Sequence, residues 1–275
     1  MPDGEIYYER AGEGPTLVLI HSAFLDSRLW DPQMTSFTRH HSVVRYDVRG
    51  HGRSKGREGS VPDVDDLTAL LNHLEVRQAF LLGNSNGAKV ACDFAAGFPD
   101  RTNGLILVAG GPHDLEPTKE EEARFMDAFP DGEGVLVERI KAGEREAALE
   151  MIMQLWAPQA PDEERERIRG IARDNYDALV RFLNSEGEGP KTPYPVASRL
   201  EKGETPILAL GGAHDMPALN MMLGRFAQNT PSARYVELPD GDHTLSVSSR
   251  PEFETNVLEF LASIEGGRPW PPPRN

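Results

Sequence analysis

Ala79-Phe80-Leu81-Leu82-Gly83-Asn84-Ser85-Asn86-Gly87 decides the fold. The apolar run 79–82 stops at a Gly-x-Ser-x-Gly pentapeptide, and a helical pattern follows through Ala88, Val90, Ala91, Phe94 and Ala95. Strand, tight turn and helix in that order hold the central residue in a strained backbone conformation. Glycines must bracket it where helix and strand approach closely. Ser85 is thereby an exposed hydroxyl at a helix N-terminus, the position of a nucleophile. Gly, Ser and Asn also make ordinary turns, so the pentapeptide alone leaves catalysis and a plain turn both open; its place between strand and helix favours catalysis.

Outward from this segment, apolar runs recur at Leu17 to Ile20, Val43 to Tyr46, Leu105 to Val108, Ile207 to Leu210 and Tyr235 to Leu238, with helical patterns between them. Strands alternating with helices predict an α/β fold, a mostly parallel sheet covered on both faces. Glu5 to Arg10 alternates and turns at Gly12-Glu13-Gly14-Pro15, which predicts an edge hairpin leading into the first central strand, antiparallel at that edge. Regularity breaks between Gly111 and Pro195, where about five amphipathic helical patterns follow one another. We read 111–195 as an inserted helical cap, 1–110 and 196–265 as the core, and 266–275 as a flexible, proline-rich tail.

Composition excludes several function classes. The 275 residues, 39% hydrophobic, suffice for one large domain with an insertion. Acidic residues number 44 against 29 basic, and the formal charge of −15 opposes binding to a phosphate backbone, so no nucleic-acid partner is expected. Glu120-Glu121-Glu122 and the run Asp162 to Arg167 read as solvated helix faces, and His40-His41 as solvated too. The single cysteine, Cys92, rules out an internal disulfide, reads as a small buried hydrophobe and fits a reducing cytoplasm. No signal-like or membrane-length apolar segment is present, so we expect a cytoplasmic protein without a membrane partner. The sequence leaves the oligomeric state open.

A serine hydroxyl is a weak nucleophile at neutral pH. It needs a general base, and the base needs an acid to fix its tautomer. Strand ends supply both. Gly211-Gly212-Ala213-His214-Asp215 follows one strand and Pro239-Asp240-Gly241-Asp242-His243 follows the next. His214 adjoins Asp215 on one turn, and Asp240 and Asp242 share the histidine's own loop. Ser85, Asp215 and His243 are therefore the preferred set. No H-E-x-x-H, paired C-x-x-C or acidic metal loop occurs, and neither a metal nor a cofactor is implied.

The order Ser85, Asp215, His243 is that of the α/β-hydrolases, and from about Glu5 to Ile264 the chain resembles a serine hydrolase of that family. Asp47-Val48-Arg49-Gly50-His51-Gly52-Arg53-Ser54 is similar to the family's Asp-x-Arg-Gly-x-Gly-x-Ser loop. Leu19-Ile20-His21-Ser22-Ala23-Phe24 is similar to its His-Gly-x segment. The resemblance implies an oxyanion hole from the backbone N–H groups of Ala23 and Asn86 and a structural role for His21, while Arg49 and His51 read as residues that stabilise a loop. Ser22 stands where the family usually has glycine, which puts the presentation of the Ala23 amide in question.

The resemblance implies hydrolysis of a small carboxylic ester or lactone through an acyl-enzyme. Rivals are carbon–carbon hydrolysis of ring-fission diketones, suggested by Gly83-Asn84-Ser85, cofactor-free lyase or oxygenase chemistry, and a non-catalytic ligand-binding member of the fold. Dehalogenases and epoxide hydrolases of this fold carry aspartate at the elbow, and Ser85 argues against both. Phe125, Met126, Met151, Met153, Leu155, Trp156, Tyr176 and Phe182 give the inserted segment an apolar face. Phe24, Met153, Trp156 and Met216 are the residues expected to line the substrate pocket.

Overall fold

A computed structural model describes residues 4–56, 62–127, 133–183 and 192–271, without the side chains of 133, 182 and 183. Phe182's expected apolar contact and the last four residues of the tail therefore lie outside the described residues. The strands are β1 (Gly4–Glu5), β2 (Tyr8–Ala11), β3 (Thr16–Ile20), β4 (Ser42–Tyr46), β5 (Lys55–Gly56), β6 (Ala79–Asn84), β7 (Thr102–Val108), β8 (Ile207–Gly212) and β9 (Ala233–Leu238). Seven of them form one sheet in the order β2-β4-β3-β6-β7-β8-β9, and β1 pairs with β5 apart from it. Within the large sheet only β2 runs antiparallel to its neighbour.

The expected hairpin is corrected at this edge. β2 does run antiparallel, but it pairs with β4, Tyr8 opposite Tyr46, and β4 lies between β2 and β3. The turn at Gly12 and Gly14 crosses the start of β4: a Cβ on Gly12 would sit 2.3 Å from the His41 carbonyl oxygen, and one on Gly14 2.5 Å from that of His40. Both glycines have positive φ, which lets the backbone make this crossing.

The helices are α1 (Asp31–Phe37), α2 (Asp63–His73), α3 (Asn86–Gly97), α4 (Lys119–Asp127), α5 (Glu133–Lys141), α6 (Arg145–Trp156), α7 (Asp162–Asp174), α8 (Tyr176–Leu183), α9 (Val196–Lys202), α10 (Pro217–Asn229), α11 (Leu245–Ser248) and α12 (Arg250–Glu265). Because strand side chains alternate, each central strand feeds two cores. Leu17, Leu19, Leu82, Ile106 and Leu208 meet Phe37 of α1 and Phe253, Val257 and Phe260 of α12. Val18, Ile20, Leu81, Leu105 and Ala209 meet Leu67 of α2, Phe94 of α3, Leu200 of α9 and Phe226 of α10. The first core continues without a break through Phe24 into Ile152, Met153 and Trp156 of α6, Ile168 and Ile171 of α7 and Leu179 of α8. Cys92 is fully buried on α3, and burial pushes its thiol well above the usual range.

Packing bears on five further expectations. α4 lies in the segment read as a cap, yet it packs on α10 of the core, where buried Glu121 pairs with Arg225 at 2.9 Å. Glu121 is therefore not solvated, and Met126, on the same helix, is exposed. His41 is buried and bonds Glu265 of α12 through Nε2 at 2.8 Å, while its neighbour His40, in the turn before β4, is exposed. The chain after α12 is held as far as Trp270, whose ring packs on Phe260 and whose indole N–H donates to the Ile207 carbonyl at 3.0 Å. Among the described residues no helix is long and apolar enough to cross a membrane.

Candidate active site

β6 is buried along its whole length and delivers Ser85 to the edge of the sheet with φ 54° and ψ −111°. A side chain in that region strains the backbone by about 1–3 kcal/mol, which the surroundings must over-determine. The flanking glycines do so. A Cβ on Gly83 would lie 2.2 Å from the Gly87 carbonyl oxygen, and one on Gly87 would lie 2.3 Å from the carbonyl oxygen of Ile20. Gly110 closes in from the β7 side less tightly, where a Cβ would sit 2.9 Å from the Ser85 Cα. The Ser85 N–H donates to the Val108 carbonyl at 2.8 Å. Asn86 is the first residue of α3, so its N–H has no intrahelical acceptor.

Asp215 and His243 emerge from the ends of β8 and β9, and the structure brings them together. Both are buried, and His243 Nδ1–H faces both Asp215 carboxylate oxygens at 3.0 Å. With Nδ1 committed as donor, Nε2 carries the free lone pair of the neutral ring. Asp215 also accepts the Met216 N–H at 2.7 Å. The two loops touch through backbone, since a Cβ on Gly212 would meet Gly241 at 2.4 Å and the His214 N–H donates to the Gly241 carbonyl at 2.8 Å. The His214 side chain itself is exposed. Burial opposes the charged form of His243, but the charge and hydrogen bond of Asp215, joined by the charge of Asp242, outweigh it and hold its pKa above the ordinary value.

Two anchoring roles escaped the sequence reading. Asn84 Nδ2 donates to the carbonyls of Val108 and His243, both at 3.2 Å, and so ties the residue before Ser85 to the histidine loop. Asp242 is fully buried and accepts from the Thr244 N–H, the Thr244 and Ser248 hydroxyls, and the Gln159 N–H just beyond α6. A polar Asn closing an otherwise apolar strand was the available signal for the first. Nothing in sequence links Asp242 to Gln159.

Between β3 and α1, two carbonyls turn toward histidines. His21 Nδ1–H donates to the Ser22 carbonyl at 2.8 Å while its Nε2 accepts the Val48 N–H at 2.8 Å. His51 Nε2–H donates to the Ala23 carbonyl. Because a trans peptide sets C=O and N–H in opposite directions, the N–H groups of Ala23 and Phe24 point away from the histidines, and neither donates to a backbone carbonyl among the described residues. Burial, reinforced by neighbouring His51, lowers His21 to about 4, so it is a neutral structural imidazole. Arg49 is buried against Asp66 at 2.6 Å. Ser22 is buried and its hydroxyl has no partner among the described residues.

All four residues expected in the pocket, Phe24, Met153, Trp156 and Met216, are buried in one apolar cluster. Trp156 stacks on Phe24 with ring centroids 4.5 Å apart, and its ring centroid lies 5.8 Å from that of His243. Phe24, Trp156 and His243 thus form a continuous row, with Met153 and Met216 outside these ring contacts.

A model described as "Alpha/beta hydrolase family" matches residues 17–255. The chain belongs to the alpha/beta hydrolase family. A family relative is a Bacillus subtilis (strain 168) protein provisionally named 2-succinyl-6-hydroxy-2,4-cyclohexadiene-1-carboxylate synthase, 28% identical, covering 94% of this chain and 96% of the relative. Another is the pimeloyl-[acyl-carrier protein] methyl ester esterase of Pectobacterium atrosepticum, 25% identical over 93% of this chain and 98% of its own. The fold also matches a thermophilic esterase from Thermogutta terrifontis, with TM-score 0.76 and 24% identity over 95% of this chain and 94% of that one.

Proposed function

We propose that this alpha/beta hydrolase is a serine hydrolase that cleaves a small carboxylic ester or lactone through an acyl-enzyme. The observation that carries the reading is the buried His243–Asp215 pair, 3.0 Å apart and tied through Asn84 to the strand that ends in the strained Ser85. Esterases and hydrolases among the relatives support the reaction class.

In this mechanism the Ser85 hydroxyl attacks the acyl carbon while His243 Nε2 takes its proton. Asp215 holds the ring and stabilises the imidazolium; its hydrogen bond to Nδ1 fixes the tautomer. The N–H groups of Ala23 and Asn86 receive the tetrahedral oxyanion. Collapse expels the alkoxide, protonated by His243, and leaves Ser85 acylated. Water then gives a proton to His243, attacks the acyl carbon and releases the acid, returning the proton to Ser85. With a lactone the leaving alcohol stays tethered to the acyl group. Helices α5 to α8 serve as the cap that selects the substrate, since all the reacting groups lie outside them.

A fluorophosphonate probe run beside ester, lactone and vinylogous-diketone substrates tests this. Peptide mapping should find the probe on Ser85, and Ser85→Ala should lower kcat by about 10³-fold or more. Unchanged turnover in that variant overturns the mechanism, and turnover of the diketone alone transfers the site to carbon–carbon hydrolysis.

A further inference from the structure

Trp156 closes α6 at 8% exposure, and its indole N–H is buried without a partner among the described residues. A buried donor left unpaired is costly, so native proteins rarely keep one without a use. Its surroundings separate this ring from the other tryptophans. Trp270 spends its N–H on the Ile207 carbonyl, and Trp30, whose buried N–H is likewise unpaired among the described residues, stacks on Phe253 in the core, so it is the neighbours of Trp156 that set it apart. Trp156 instead lies between Phe24, next to the Ala23 amide, and His243.

Its position is also fixed more firmly than cap packing requires. The Ala157 N–H bonds back to Met153 at 3.0 Å, and the Gln159 N–H donates to Asp242, the residue before His243, at 2.9 Å. The chain immediately after Trp156 is therefore pinned to the histidine loop, which holds the indole ring beside His243. The nearby carboxylates, Asp215 and Asp242, together with the formal charge of −15, disfavour an anionic guest and favour a neutral acceptor.

We propose that Trp156 is a specificity-determining residue whose indole N–H donates to a neutral ketone or ether oxygen on the acyl part of the substrate, so that oxygenated acyl groups are preferred over hydrocarbon ones. This rests on the serine-hydrolase reading above. The stacked Phe24 face accommodates the rest of a flat or compact acyl chain.

The test compares p-nitrophenyl pentanoate with p-nitrophenyl ethoxyacetate and p-nitrophenyl 4-oxopentanoate, which walk one oxygen along a chain of similar length. Each kcat/KM is divided by the ester's rate with hydroxide. The wild-type enzyme should prefer at least one oxygenated ester by about tenfold or more, and Trp156→Phe, which keeps an aromatic ring but removes the N–H, should erase that preference whatever loss the smaller ring causes to all three. A ratio that is the same in both enzymes overturns the proposal while leaving the hydrolase reading intact. Failure of the wild type to turn over any of the three, with Ser85 unlabelled by the probe, overturns the hydrolase reading and this inference with it. A measurement on the wild type alone guards against a misfolded variant. Adding 4-oxopentanamide, but not pentanamide, should move the ¹H–¹⁵N indole resonance of Trp156 and leave those of Trp30 and Trp270 in place. Equal shifts with both amides, or none with either, refute the hydrogen bond.

Discussion

Gly87→Ala should damage catalysis far more than stability, and the reason is one backbone contact. The added Cβ would lie 2.3 Å from the Ile20 carbonyl oxygen and 2.7 Å from that of His21. Ordinary contact begins near 3.4 Å, so the start of α3 and the end of β3 must separate by about 1 Å. No flexible side chain can absorb the change, since both sides are backbone. Overpacking of this kind costs about 1–3 kcal/mol, which in a chain of this size lowers Tm by roughly 2–12 °C. The same displacement moves Ser85 and the Asn86 N–H relative to His243 and Ala23, and about 1 Å of misplacement costs on the order of 10²-fold in rate. Differential scanning calorimetry beside steady-state hydrolysis of p-nitrophenyl pentanoate reads both quantities. Gly83→Ala meets a second backbone contact of α3, this time with β6, its Cβ lying 2.2 Å from the Gly87 carbonyl oxygen, and should behave alike. If Gly87→Ala kept turnover within about twofold, close helix–strand approach would not be what positions Ser85.

Gly170→Ala supplies the contrast: it lies in α7 with nothing within 4 Å of the new Cβ, and helix propensity should raise stability by about 0.5–1 kcal/mol in a chemical denaturation curve. The acid limb of kcat/KM should lie above the ordinary histidine pKa, because activity needs neutral His243. Asp242→Asn removes a charge that favours the imidazolium, so the limb should move to lower pH, and a limb that stays in place refutes that role for Asp242. His21, held near 4 against an ordinary 6.5, stays neutral in the fold while the unfolded chain gains a proton, so it should subtract stability as pH falls through that window. Thermal melts of His21→Asn should accordingly depend less steeply on pH between roughly 6.5 and 4 than those of the wild type. Asp66→Ala removes the carboxylate that accepts two hydrogen bonds from the buried Arg49 guanidinium and should cost about 1.5–3 kcal/mol by denaturant titration, with a loss below about 0.5 kcal/mol refuting the pair's importance.

What the sequence determined by itself is what local chemistry dictates. The elbow was legible because only glycine permits the Gly83–Gly87 and Gly87–Ile20 approaches, so the constraint is written as residue identity. Five strands, β3, β4, β6, β7 and β8, were legible because they lie inside the sheet, are nearly buried on both faces and so read as near-continuous apolar runs, whereas β9 closes the far edge with Arg234 and Glu237 exposed. The pairing of Asp215 with His243 was foreseeable in kind, since successive parallel strands release their loops at one edge of the sheet.

The tertiary structure decided everything that depends on which distant surfaces meet. β2 pairs with β4 rather than β3, because an alternating edge strand fits any neighbour and its partner is set by the path of the turn at Gly12 and Gly14. His41 and Glu121 looked solvated in sequence, yet each is buried against a partner more than a hundred residues away, Arg225 for Glu121 and Glu265 for His41. Trp156 was one of several apolar residues at helical spacing, and spacing assigns a face without naming what the face covers. That its ring falls between Phe24 and His243 follows from the bond between Gln159 and Asp242, a contact across 83 residues. Periodicity encodes the direction of a side chain from its own element, and only packing of the whole chain decides what stands there.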